Sequence, residues 1–254
     1  MSPYRNHSLR LILLFGLLST TISQVSQGRR YDQQIQQDVE KVLQSKSRFQ
    51  NVHASTEDGI VTLTGTVKVH IDKLDAERRV RHVKHVEGVR NHIEVESTVP
   101  DDVLLKKLAD KLRYDRIGYG IMFNSLKLNV ENGVVTVSGD VRDYSARDSA
   151  LAIIATEPGV KDVIDEINVL PASIYDDELR LRVARTIYGH PALQKYAIDP
   201  QAPIRIVVEN GHVRLEGVVD TQTDKQIAGM QASSVPGVFS VQNNLIVAKE
   251  KSKE

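Results

Sequence analysis

One stretch occurs three times without a gap, from Gly59 to Val95, from Gly133 to Val169 and from Gly211 to Val247. No other feature restricts the fold as tightly. Each copy opens on Asp58-Gly59, Asn132-Gly133 or Asn210-Gly211, set between two runs of alternating β-formers. Such a dipeptide is the strongest short-range hairpin signal, because both central turn positions require positive φ. Six residues on stand Gly65, Gly139 and Gly217, and two further on Val67, Val141 and Val219. A helix-like segment follows with Ala76, Ala150 and Ala228 in register, and then a last strand ending at Val95, Val169 or Val247. The copies are offset by 74 and then 78 residues, too long for a solenoid and suited to small domains in tandem.

Each copy is preceded by a helical pattern: Ile35, Val39 and Leu43; Leu104, Leu108 and Leu112; Leu179, Val183 and Ile187. Aspartates stand at the three helix starts (Asp32, Asp101-Asp102 and Asp176-Asp177), where carboxylates are expected to cap free N–H groups. Strand positions alternate between apolar residues, such as Val61 and Leu63, and polar ones, such as Thr62 and Thr64, so one sheet face should be buried. Gly65, Gly139 and Gly217 should mark a bulge or a close helix–strand approach. Pro158-Gly159 and Pro236-Gly237 stop the second helix in two copies, whereas the first has His85 at the glycine position. The fold class expected is therefore α+β: three tandem α-β-β-α-β units, each a small three-stranded mixed sheet covered by two helices. The boundaries fall at 31–98, 101–170 and 175–248.

Residues 1–28 read as an export signal: Arg5 and Arg10 precede the apolar run Leu11–Leu18, and small residues follow at Thr21-Ile22-Ser23. Leu11–Ile22 is too short to serve as a membrane anchor, which needs roughly 20 apolar residues. The expected location is periplasmic or secreted, with residues 249–254 as a disordered charged tail. The absence of cysteine excludes disulfides, thiolate metal sites and a lipidated N-terminal cysteine. Lys plus Arg equals Asp plus Glu at 33 each, which argues against a nucleic-acid partner.

Two stretches could form contacts with a partner. The second helix of unit one carries Lys73, Arg78, Arg79, Arg81 and Lys84, a basic run the other units lack. It could meet anionic headgroups, or it could be a solvated face that packs on neighbouring acids. Tyr119, Ile121, Met122 and Phe123 form the most apolar irregular stretch, suited either to an interfacial contact or to filling the core. The histidines His70, His82, His85 and His92 cluster in unit one without a carboxylate at zinc-motif spacing. There is no Gly-x-Ser-x-Gly and no phosphate-binding glycine loop, and no catalytic residue, cofactor or metal is expected.

The third copy reads Asn210-Gly211-His212-Val213-Arg214-Leu215-Glu216-Gly217, then Pro236-Gly237-Val238-Phe239-Ser240-Val241-Gln242-Asn243-Asn244-Leu245-Ile246-Val247. This pattern resembles the BON domain, and the likeness extends over nearly all of 31–248. The first copy departs from it at His85 and Gly88. The resemblance implies a non-enzymatic bacterial envelope protein that associates with phospholipid surfaces and supports envelope integrity or osmotic-stress tolerance. It equally admits a protein-interaction or chaperone-like role towards exported proteins. Oligomeric state does not follow from it.

Overall fold

The structure is a computed structural model that describes residues 31–115, 121–199 and 203–248. The expected export signal and charged tail lie outside the described residues, as does Tyr119. Unit one runs α1 (Asp32–Gln44), β1 (Val52–Glu57), β2 (Ile60–Val67), α2 (His70–Arg81), β3 (Gly88–Asn91) and β4 (Glu94–Val95). Unit two runs α3 (Asp101–Arg113), β5 (Ser125–Glu131), β6 (Val134–Val141), α4 (Tyr144–Thr156) and β7 (Asp162–Val169). Unit three runs α5 (Ile174–Tyr188), α6 (Gln194–Ile198), β8 (Ile204–Glu209), β9 (His212–Val219), α7 (Gln222–Ser233), β10 (Ser240–Asn243) and β11 (Ile246–Val247).

The protein is thus three α+β units, each with a mixed sheet. In every unit the second strand is central: the first pairs with it antiparallel and the last pairs with it parallel. The last strand is continuous in unit two but split in the other two, where the Asn91 and Asn243 side chains accept from the amides of Ile93 and Leu245. Each unit has its own core. Val61 and Leu63 meet Ile35 and Val39, Val135 and Val137 meet Leu104 and Leu108, and Val213 and Leu215 meet Leu179 and Val183.

The hairpin turns have the geometry their dipeptides predict, with φ of 51°, 54° and 51° at Asp58, Asn132 and Asn210 and of 78° to 80° at the following glycines. The helix-start aspartates do not act as expected. Asp32, Asp101 and Asp176 each present both carboxylate oxygens to the two amides of their own unit's turn, at 2.7 to 3.0 Å. Neither α1 nor α3 has a side-chain cap, and the cap of α5 is Ser173. One carboxylate per unit therefore ties the first helix to the hairpin tip.

Gly65, Gly139 and Gly217 mark an approach between strands and not between helix and strand. A Cβ there would lie 1.9, 2.0 and 2.0 Å from the carbonyl oxygens of Asn51, Ser125 and Pro203, at φ above +100°. Only glycine fits such positions without strain. His85 takes the left-handed φ of 69° that glycine holds in its sister units, and its ring stacks on Tyr31 at 3.8 Å.

Neighbouring units touch through named side chains. His70, at the start of α2, donates from Nδ1 to the Lys161 carbonyl at 3.1 Å, and its Nε2 lies 3.9 Å from Asp162. Between units two and three, Arg142 stands 3.6 Å from Asp177, and Arg214 pairs with Asp140.

Candidate functional site

The basic run of unit one lies on α2, which packs on the core through Ala76 and Val80 and turns its arginines away from it. Asp75, 4% exposed, is the anchor of this face. It accepts from Arg78 and Arg79 one turn later and from Arg48, which arrives from the 3-10 turn Ser47–Phe49. Arg48 also lies 3.3 Å from Asp72. Burial raises the Asp75 carboxyl, but the bonds from Arg78 and Arg79 and the charge of Arg48 outweigh it and hold the pKa below the ordinary value. Burial instead prevails at Asp72 and pushes its pKa up. One turn further, Glu77 takes Arg81.

The charges are partly neutralised by these acids, yet they remain presented to solvent. The side chains of Arg78 and Arg81 are 69% and 60% exposed. Lys84 is exposed after the helix, while Lys73 is half-buried near its start. Four arginines, Arg48 included, pair with Asp72, Asp75 and Glu77. Anchoring on Asp75 restrains long side chains that would otherwise lose rotamer freedom on meeting an anion. An open groove of about 640 Å³ runs between this helix and α1, lined by Asp38, Val42, Arg78, Arg79, His82 and Lys84.

Met122 and Phe123 of the second candidate stretch are not brought to this face. Ile121–Phe123 forms a 3-10 turn, and Phe123 is 4% exposed inside the core of unit three with Leu179, Val183 and Ile204. Met122 packs half-buried against the same cluster. Phe123 is thus a peg from the chain of unit two into unit three and presents nothing to a surface, which corrects its reading as an interfacial contact.

The four histidines of unit one have separate structural roles. His70 sits at the joint, the His82 ring lies 2.7 Å from the Arg78 carbonyl, His85 stacks on Tyr31, and His92 is exposed. Among the described residues no cluster of three or more His, Asp or Glu could hold a metal. Sequence reasoning also missed Arg48, which is remote from α2 in the chain. The long connection in unit three forms a 3-10 turn and α6 and buries Leu193 and Tyr196. The Tyr196 hydroxyl donates to Asp224 at 2.8 Å and accepts from the Asp220 amide, and Lys195 reaches both carboxylates at 2.8 Å.

Three small α+β units in series, stapled by a helix-to-turn carboxylate and a strand glycine, define a tandem domain array. The chain belongs to the BON domain family, which matches residues 31–97, 100–171 and 176–249. Among curated proteins it is similar to osmotically-inducible protein Y of Escherichia coli (strain K12), at 27% identity over 49% of this chain and 63% of that protein. The match therefore spans less than two thirds of that relative. Solved structures similar in part include the C-terminal domain of CdsD, a type III secretion structural protein of Chlamydia trachomatis, at 15% identity and a TM-score of 0.23 over 84% of this chain and 96% of that one. The PrgH periplasmic domain follows at 10% identity and a TM-score of 0.18, over 78% of this chain and 96% of that one. Scores this low support no structural argument. No helix among the described residues is long and apolar enough to cross a membrane.

Proposed function

We propose that this protein is a non-enzymatic, exported envelope protein that attaches to anionic phospholipid surfaces and supports envelope integrity or osmotic-stress tolerance. Membership of the BON family and the likeness to an osmotically inducible protein support the envelope and stress setting. The observation that carries the lipid reading is the arginine face of α2, where Asp75 organises Arg48, Arg78 and Arg79 beside the exposed Arg81 and Lys84. Each exposed cation near an anionic membrane contributes about 1 kcal/mol. Tyr119 and Ile121 remain proposed contributors to the same attachment.

A second reading, contact with other exported proteins, is favoured by an apolar corner of unit three. Ile174 is 82% and Phe239 71% exposed there, next to Tyr175, whose hydroxyl donates to the Gly237 carbonyl. Co-sedimentation of the Arg78→Glu/Arg81→Glu variant with phosphatidylglycerol vesicles tests the first reading. The double charge reversal is expected to reduce binding at least tenfold, about 1.4 kcal/mol. Unchanged binding would remove α2 as the contact. Suppression of client aggregation without any vesicle binding would favour the second reading.

A further inference from the structure

The apolar corner of unit three is held in place by the backbone beneath it. The Phe239 amide donates to the Gly211 carbonyl at 2.9 Å, and the ring lies over that turn so closely that a Cβ at Gly211 would meet it at 2.5 Å. Tyr175 is fixed by its hydroxyl, 2.6 Å from the Gly237 carbonyl. Ile174 shares one stripe of α5 with Leu181, which is 46% exposed. Aromatic side chains that are exposed yet already ordered lose little freedom when a partner covers them, and with arginine they are the commonest interface anchors.

The same corner carries a cation without a partner. Arg182 is partly buried beside Tyr175: a Cβ at Gly237 would lie 3.5 Å from its Nη2 and 2.6 Å from the Tyr175 hydroxyl. Its Nε is buried and meets no acceptor, and no carboxylate among the described residues pairs with its guanidinium. Asp176 is committed to the turn amides, and Asp177 to Arg180 and Arg142. Glu178, one turn before Arg182, is exposed and makes no ion pair with it. A buried guanidinium nitrogen left unsatisfied is uncommon, and a carboxylate is the natural complement of such a group.

Unit two receives a neighbour at the same place on its fold. Lys161 holds the position of Phe239, its amide donating to the Gly133 carbonyl at 2.9 Å. There unit one docks, through His70 on the Lys161 carbonyl and 3.9 Å from Asp162. The host thus offers a carboxylate to an imidazole. In unit three Ser240 stands at the position of Asp162, and the charge offered is that of Arg182. The polarity is reversed, so the fitting guest brings the carboxylate.

We propose that this corner binds a segment of another polypeptide in which a carboxylate stands between large apolar side chains. The carboxylate meets Arg182, and the apolar groups meet Phe239, Tyr175 and Ile174. This selectivity rests on the second reading above, contact with other exported proteins, and names the segment such contact prefers.

The test is an amide NMR titration of the full chain with the end-blocked peptide Ser-Leu-Phe-Glu-Phe-Ser. Versions with glutamine or lysine for the glutamate, or serine for every apolar residue, run alongside. Saturable shifts are expected at Tyr175, Arg182, Gly237 and Phe239, and none with the all-serine version. The glutamine peptide should bind about tenfold more weakly, and the lysine peptide more weakly still. Arg182→Gln should erase the preference for glutamate over glutamine and keep the apolar binding, while Phe239→Ser should remove binding of every peptide. Both side chains reach solvent, so both variants should fold. Arg78→Glu/Arg81→Glu should change nothing. Equal affinity for the glutamate, glutamine and lysine peptides would overturn the proposed selectivity and leave an apolar protein contact standing. Binding of no peptide, or shifts confined to another face, would overturn both. A glutamate preference that survives Arg182→Gln would overturn the role of Arg182. Self-association that Phe239→Ser abolishes would also overturn the proposal, by making a second copy of the chain the occupant.

Discussion

Replacing Asp176 by alanine should loosen one hairpin and leave its two sister hairpins intact. Asp176 is 3% exposed and accepts from the amides of Asn210 and Gly211, both at 2.9 Å. Hydrogen bonds to a charged acceptor contribute about 1.5–3 kcal/mol each. The alanine variant loses both and leaves two turn amides without their partner, so local opening should become easier by about 3–5 kcal/mol. Amide hydrogen exchange on the full chain reads this residue by residue. Protection at Asn210 and Gly211 should fall roughly a hundredfold to a few thousandfold, whereas Asp58-Gly59 and Asn132-Gly133 keep theirs. Asp176→Asn retains one acceptor and turns an NH₂ towards the other amide, so it should lose about half as much free energy. Wild-type protection at Asn210 and Gly211 in the alanine variant would refute the clamp. Equal losses at all three turns would show that its effect is not local.

Two further predictions concern packing and the joint between units one and two. Gly217→Ala would place a Cβ 2.0 Å from the Pro203 carbonyl oxygen at φ +114°, and should cost unit three at least about 3 kcal/mol; an unchanged thermal transition would contradict it. His70, 3% exposed, has its pKa lowered from 6.5, chiefly by burial and also by Lys73, although the Lys161 carbonyl and Asp162 act in the opposite sense. A folded-state pKa below the unfolded value means that the neutral ring stabilises the fold above about pH 6.5 and that this contribution is lost as pH falls through the folded pKa. The thermal midpoint of the wild type should therefore drop on acidification below that value more steeply than that of His70→Gln. Parallel pH profiles would show that the joint does not titrate.

Much of the architecture was legible because three copies state the same constraints. An Asx-Gly turn needs positive φ at both positions, and Gly65, Gly139 and Gly217 recur at a fixed distance from it, so topology and register follow from local chemistry. What could not be read depended on partners distant in the chain. Asp32 looked like a helix cap because its neighbours allow one, yet its carboxylate reaches Asp58 and Gly59. The signal was available in the constant pairing of a helix-start aspartate with every Asx-Gly turn. His85 seemed to remove a helix stop, but a histidine tolerates the left-handed φ where its ring can stack on Tyr31. The pairs Asp75–Arg78, Asp75–Arg79 and Glu77–Arg81 follow from helical spacing. Arg48 does not, and no periodicity reveals that Phe123 fills a neighbouring unit's core.

The central functional claim is electrostatic attachment to anionic membrane. Its most direct test is co-sedimentation of the protein with phosphatidylglycerol-containing vesicles and with purely zwitterionic ones, as salt is raised from roughly 0.02 to 0.5 M across the screening range. The account predicts binding to the anionic vesicles alone, strong at the low end and lost at the high end. Failure to pellet at low salt would contradict it, as would equal, salt-independent binding to both kinds of vesicle.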